Sequence, residues 1–147
     1  MQAYFRDAVG TDLPAIGAIL RGAEPTGEDL PRGSYSDALT EIDRTEGNYV
    51  LVAEYDRQIV AVLQLLAFRY LHDRGRRIAQ IVLLRVAEDF RTSGIDAMLI
   101  DHAAARATDL GCRRLIALTS TAATDEHHRW ERAGFVHLDR GYVRQLN

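Results

Sequence analysis

The chain has 147 residues, of which 47% are hydrophobic, and this suits one compact domain spanning residues 1–147. No apolar run is long enough to span a membrane, and the charged first turn lacks the apolar region of a secretory signal. A net charge of −3 without a long basic run argues against nucleic-acid binding. The single cysteine, Cys112, excludes an internal disulfide, so we expect a cytoplasmic protein.

The first half of the chain combines alternating and helical patterns of apolar residues, separated by turn-forming residues. Thr11 precedes a helical pattern and is expected to cap it, with Asp12 in the first turn. The predicted elements are a strand over Gln2–Val9, this first helix, a loop over Gly22–Gly33, a helix over Ser36–Thr45, and a hairpin of Tyr49–Tyr55 and Gln58–Tyr70.

The second half opens on a mostly apolar strand, which is typical of a central strand covered on both faces. The predicted elements are strand Arg77–Val86, helix Ser93–Leu110, strand Leu115–Leu118, helix Asp125–Ala133, and a last hairpin of Phe135–Leu138 and Tyr142–Leu146. The resulting order, β-α-α-β-β-β-α-β-α-β-β, predicts an α+β fold. We expect a mixed, mostly antiparallel sheet of about seven strands flanked by about four helices.

Three local patterns accompany this order. They are Ala79-Gln80-Ile81 in the fourth strand, Phe90-Arg91-x-x-Gly94-Ile95 before the long helix, and the segment from Trp130 to Phe135 near the end. Together they resemble the GNAT superfamily of acetyl-CoA-dependent N-acetyltransferases, and specifically a divergent small bacterial member. The resemblance covers essentially the whole chain and implies the GNAT fold, and a homodimer is plausible for a small member.

The resemblance implies a site for acetyl-CoA at the end of the fourth strand. Backbone groups of Leu84, Arg85 and Val86 would hold the pantetheine arm. The loop that follows would hold the pyrophosphate at a helix N-terminus, where backbone N–H groups bind anions. Its residues are Arg91, Thr92, Ser93, Gly94, Ile95 and Asp96.

Asp96 departs from the family pattern, because it stands where the family loop has Gly or Ala. Two anions a few ångströms apart repel by about 1 kcal/mol in water and by more at a partly buried site. Ser93-x-x-Asp96 also has the form of a capping box, in which the helix would satisfy its own N-terminal donors. The alternative is a phosphate loop that tolerates Asp96 by turning it toward solvent.

Two further positions depart from the family. Val82 replaces the usual general base and cannot accept a proton, while Trp130 replaces the usual tyrosine acid. Trp130 is expected instead to fill the gap between a helix and the sheet. The substitute bases are Glu54, Glu88 and Asp89, each of which could equally be a surface charge, so the sequence assigns no catalytic residue.

Two functions remain open at this stage. The first is an N-acetyltransferase that moves an acetyl group from acetyl-CoA to a small amine, a substrate that the acidic segment around Asp37 and Glu41 would suit. The second is a GNAT-fold protein that has lost acetyl transfer, as a binding subunit or a repurposed biosynthetic enzyme. Adjacent histidines such as His127 and His128 point about 100° apart on a helix, so no metal site is expected.

Overall fold

A five-stranded sheet forms the centre of the computed structural model, which describes residues 2–21, 34–118, 124–137, 142 and 144–146. The strands are β1 (Tyr4–Asp7), β2 (Asn48–Tyr55), β3 (Gln58–Tyr70), β4 (Arg76–Val86) and β5 (Leu115–Ala117). They lie side by side in chain order, β1-β2-β3-β4-β5. All neighbours are antiparallel except β4 and β5, which are parallel.

Four helices accompany the sheet within the described ranges. They are α1 (Leu13–Arg21), α2 (Ser34–Arg44), α3 (Ile95–Asp109) and α4 (Thr124–Arg132). Short 3-10 turns cover Gly10–Asp12, Leu71–Asp73 and Glu88–Phe90. Among the helices of these ranges, none has the length and apolar character needed to cross a bilayer.

The sheet is covered on both faces, and the middle sections of its central strands are mostly apolar, with Gln64 of β3 and Gln80 of β4 as exceptions. Successive side chains of a strand point to opposite faces, so Leu51 and Val52 of β2 pack on different sides. Val52 joins a cluster with Ile16 of α1, whereas Leu51 joins the main core with Leu99 of α3. The helix α3 therefore packs on the face opposite to α1.

Local turn chemistry determines how β2 and β3 pair. Asp56 and Arg57 both have positive φ, 48° and 63°, as the two central residues of a type I′ hairpin turn require. At the other end of β2, Gly47 has φ of +82°, and a Cβ there would lie 2.2 Å from the carbonyl oxygen of Ala67. Only glycine allows this close approach of the two backbones. At the same point, the Ala67 N–H donates a hydrogen bond to the Gly47 carbonyl at 2.7 Å.

The α+β class and the mixed, mostly antiparallel sheet are confirmed, but the described residues contain five strands rather than about seven. Phe135–His137 is not a strand: the N–H of Phe135 donates to the Trp130 carbonyl at 3.0 Å and so closes the end of α4. Of the second strand expected there, Tyr142 and residues 144–146 lie outside regular structure. The predicted turn at Arg140-Gly141 and the loop Gly22–Gly33 fall outside the described residues.

The cap expected at Thr11 is wrong. The residue that caps the turn before α1 is Val9, whose backbone N–H donates to the carboxylate of Asp12 at 2.8 Å. Asp12, which lies in the 3-10 turn before α1, thus accepts a hydrogen bond from the backbone residue that precedes this turn. The predicted helix over Ser36–Thr45 is observed as α2, and the long helix begins two residues later than expected.

Candidate cofactor site

The edge of β4 that faces β5 is paired over only part of its length. Parallel pairing joins Ala79–Ile81 to Leu115–Ala117, and one further bond runs from the Leu118 N–H to the Ile81 carbonyl at 3.4 Å. Beyond that point, no described strand pairs with this edge of residues 82–86. Leu84, Arg85 and Val86, the residues expected to hold a pantetheine arm, lie in this open stretch, where backbone groups can meet an extended ligand.

A β-bulge lies where the open stretch of β4 begins. Leu83 pairs with Gln64 and Ile81 pairs with Leu65, so Val82 is the extra residue. Bulges bend a strand and redirect side chains, and they occur often beside active sites. The Val82 side chain is 37% exposed. The position that the family uses for a base is therefore accessible here, but it carries an aliphatic group that cannot take a proton.

The loop after β4 leads directly into the N-terminus of α3. Ser93 organises it: its hydroxyl donates to the Phe90 carbonyl at 2.6 Å and accepts from the Ile95 N–H at 3.3 Å. Gly94, with φ of +83°, is the cap residue and contributes no side chain. Each predicted loop residue from Arg91 to Asp96 lies in this segment.

Most of the backbone donors at this helix start remain open. Among the residues that the structure describes, none accepts a hydrogen bond from the N–H groups of Thr92, Gly94, Asp96 or Ala97. The N-terminus of a 15-residue helix also carries partial positive charge. Open donors and this charge together form the arrangement that binds phosphate groups. The loop therefore fits a pyrophosphate.

The carboxylate of Asp96 does not cap α3, so the capping box expected from Ser93 and Asp96 is wrong. Its Oδ2 lies 3.0 Å from the Nε of Arg129 on α4, in an ion pair whose two side chains are 17% and 27% exposed. Asp96 is also not turned to bulk solvent, which was the alternative. Tertiary packing explains this orientation. Because α4 lies beside the start of α3, Asp96 forms an ion pair with Arg129 and does not accept from the backbone N–H groups of its own helix.

Arg129 is the residue of this site that the sequence analysis missed. It lies on a different helix from Asp96, and no short motif or helical spacing connects the two positions. A basic residue in the last turn of a helix is ordinarily explained by the helix dipole alone. Only the docking of α4 beside the start of α3 places its guanidinium there.

Trp130 is buried, as expected for an aromatic that fills the space between a helix and the sheet. It is 8% exposed, belongs to the main core, and meets Phe135 edge to face with ring centroids 5.1 Å apart. Its indole Nε1 has no acceptor among the described residues. A buried donor without a partner costs about 1–3 kcal/mol, so this nitrogen is a candidate for contact with a bound molecule.

The three carboxylates considered as substitute bases are not equivalent. Glu54 and Glu88 line one cavity of about 610 Å³ between α1 and the end of β4, together with Arg91, whereas Asp89 is not part of its wall. Glu54 lies 3.8 Å from the guanidinium of Arg6, which partly neutralises it. Glu88 is exposed and follows β4 directly. Among the described residues, no group of His, Cys, Asp or Glu side chains has the arrangement of a metal site.

Comparison with known proteins agrees with this geometry. The model of the acetyltransferase (GNAT) family matches residues 15–135. No curated protein sequence matches the chain significantly. Among solved structures, a transcriptional regulator from Bacillus halodurans C-125 has 26% identity and a TM-score of 0.89, covering 99% of this chain and 100% of its own.

Two more distant structures share the fold. An acetyltransferase from Trypanosoma brucei has 19% identity and a TM-score of 0.82, with coverage of 99% of this chain and 100% of its own. Glucosamine-6-phosphate N-acetyltransferase from Arabidopsis thaliana has 13% identity and a TM-score of 0.81, with both chains covered completely. Because the family model spans most of the sequence and the described elements have the same architecture, the chain belongs to the GNAT acetyltransferase family.

Proposed function

We propose that this protein binds acetyl-CoA and transfers the acetyl group to the amine of a small molecule in the cytoplasm. The observation that carries the proposal is the set of N–H donors at the start of α3 that have no acceptor among the described residues. They follow residues 82–86 of β4, whose second edge no described strand pairs. An extended ligand that ends in phosphates could pair its amide groups with the edge of β4 and its phosphates with the N–H donors of α3. Family membership supports acetyl-CoA as that ligand.

The residues that would hold the cofactor follow from this arrangement. Backbone groups of Leu84, Arg85 and Val86 would pair with the pantetheine amides, much as a peptide adds a strand to an open sheet edge. The open N–H groups of Thr92, Gly94, Asp96 and Ala97 would bind the pyrophosphate. Asp96 does not block this site, since its charge is paired with Arg129.

The chemistry divides between cofactor and protein. Acetyl-CoA supplies an acetyl group activated as a thioester. Backbone N–H groups on the open edge of β4 would polarise the acetyl carbonyl. Val82 cannot accept the proton that the amine must lose, and Glu88 lies two residues beyond the end of β4, on the phosphate side of the site. This proton would therefore leave through water.

A small amine is the acceptor that the surface near α2 favours. Asp37 and Glu41 are exposed and lie one helical turn apart on α2, so they form a small acidic patch. Such a patch attracts an ammonium group. Among the similar folds are enzymes named for amine-bearing substrates, the glucosamine-6-phosphate enzyme and an aminoglycoside acetyltransferase in complex with sisomicin.

The alternative is a GNAT-fold protein that has lost acetyl transfer. Two observations favour it: the exposed aliphatic side chain of Val82 at the bulge, and an indole at Trp130, which can donate a hydrogen bond but cannot act as an acid. Under this alternative the chain would bind CoA or another ligand in the same cleft without turning it over.

Calorimetric titration with acetyl-CoA, followed by an assay for free thiol over a panel of primary amines, tests the proposal. We expect binding tighter than about 100 μM, which raises the melting temperature at millimolar ligand, and thiol release that depends on the amine. Binding without thiol release would support the alternative. Absence of binding would contradict acetyl transfer altogether.

A matched pair of variants locates the binding site. Ala97 is exposed in the first turn of α3, and Ala105 is exposed two turns further along the same helix. Ala97→Glu places a carboxylate among the open donors and should weaken CoA binding at least tenfold while leaving the helix stable, because acids are favourable in a first turn. Ala105→Glu, the control, should bind CoA as the wild type does.

A further inference from the structure

We propose that Arg129 of α4 binds the phosphates of the cofactor, and that Asp96 is the positioning residue that holds it beside the phosphate loop. This inference rests on the proposed function, because it assigns a further binding residue to the same site. Its starting point is the ion pair between Asp96 Oδ2 and Arg129 Nε, 3.0 Å apart.

The ion pair places a cation at the helix start. Asp96 is the second residue of α3, so its partner guanidinium lies within about one helical turn of the open N–H groups of Gly94 and Ala97. The Arg129 side chain is 27% exposed, so a ligand can reach it. A phosphate bound by those N–H groups would therefore lie close to Arg129.

The guanidinium also has unused hydrogen-bonding capacity. An arginine carries five N–H donors in a planar fork that matches phosphate oxygens two at a time. The contact with Asp96 is made at Nε. Among the side chains that the structure describes, no second carboxylate contacts the two terminal nitrogens of Arg129. Within that part of the chain, those nitrogens are available to two oxygens of a ligand.

The position of Arg129 is fixed by the rest of α4. The next residue, Trp130, is buried in the main core, to which α3 and β4 also contribute residues. The pair with Asp96 then limits the rotation of the arginine side chain. Asp96 would cost binding energy in a phosphate loop if it stood alone, but here it is neutralised and orients a group that attracts phosphate.

Calorimetric titration of CoA into the wild type and into four variants at low salt tests the assignment: Arg129→Gln, Asp96→Asn, the double variant, and Arg132→Gln. Arg132 is exposed on the same helix, so Arg132→Gln controls for the loss of one positive charge on α4. Urea unfolding verifies that each variant is folded.

We expect Arg129→Gln to weaken CoA binding at least tenfold, and to weaken it less when Asp96 is already asparagine, because the contact that positions Arg129 is then weakened. Asp96→Asn alone should weaken CoA binding for the same reason. Arg132→Gln should bind like the wild type. Binding by Arg129→Gln should also depend less on salt, because a phosphate contact has been lost.

Two results would overturn the role of Arg129 and leave the proposed function intact. The first is wild-type affinity in Arg129→Gln. The second is wild-type or tighter CoA binding by Asp96→Asn together with no further loss when Arg129→Gln is added, because Arg129 would then only neutralise Asp96. A wild-type protein that fails to bind CoA would instead overturn the proposed function, and this inference with it.

Discussion

The starts of α1 and α3 each contain an aspartate, yet the two helices use it in opposite ways. At α1, Asp12 accepts the Val9 N–H at 2.8 Å and two hydrogen bonds from the Arg6 guanidinium, at 2.7 and 2.9 Å. It is 7% exposed. At α3, Asp96 turns away from its own backbone to Arg129 and leaves the neighbouring N–H groups open. At the first, which we call the closed helix start, a carboxylate accepts from the backbone and is itself held by a cation. At the second, the open helix start, no described carboxylate accepts from the backbone.

The difference shows what separates a structural helix start from a binding site. A helix start whose donors are satisfied internally gains stability but cannot bind an anion. A helix start whose donors are open loses that stability and can recover it when a ligand binds. The same residue type serves both arrangements, because the nearest cation and not the aspartate itself decides where the carboxylate points.

The largest expected effect comes from breaking the closed helix start. Asp12→Asn removes the charge that faces Arg6 and should lower the free energy of unfolding by about 2 kcal/mol, less than a fully buried pair would lose because Arg6 is partly exposed. Urea unfolding at neutral pH measures this. Asp7→Asn is the matched control: its partner is Arg106 at the surface, and it should lose less than about 1 kcal/mol.

Acid should weaken the closed helix start in the same way. The hydrogen bonds from Arg6, with a contribution from the Val9 N–H, hold the pKa of Asp12 below its ordinary value despite its burial. Since the folded state then binds the proton less readily than the unfolded state, the stabilisation is present above about pH 4 and is lost as pH falls through the lowered pKa.

Unfolding in urea at several pH values between 6 and 3 tests this dependence. The stability difference between wild type and Asp12→Asn should be smaller at pH 3 than at pH 6. A difference that stays constant down to pH 3 would show that Asp12 is not the group whose protonation matters.

The smallest effect on stability is expected at the open helix start. Asp96→Asn should cost only about 0.5–1 kcal/mol in urea unfolding, because its ion pair is partly exposed and caps nothing. A loss as large as that of Asp12→Asn would mean that the two helix starts are equivalent. Such a result would remove the contrast from which the binding site is inferred.

Most of the fold could be predicted from the sequence because local patterns carry it. Runs of β-forming residues on either side of Asp56-Arg57 identified β2 and β3, and helical spacing identified α3. The last predicted hairpin failed at Phe135, whose N–H closes α4 instead of pairing in a strand. The motif located the candidate loop from Arg91 to Asp96, but the sequence did not show which backbone N–H donors this loop leaves open.

The sequence by itself determined the elements, the family resemblance and the position of a possible phosphate loop, because periodicity, turn residues and motifs act over a few residues. Only the tertiary structure decided the role of Asp96. A carboxylate takes the nearest donor or cation that packing supplies, and for Asp96 that cation is Arg129 on another helix. The bulge at Val82 was decided in the same way, since a register shift exists only between two paired strands.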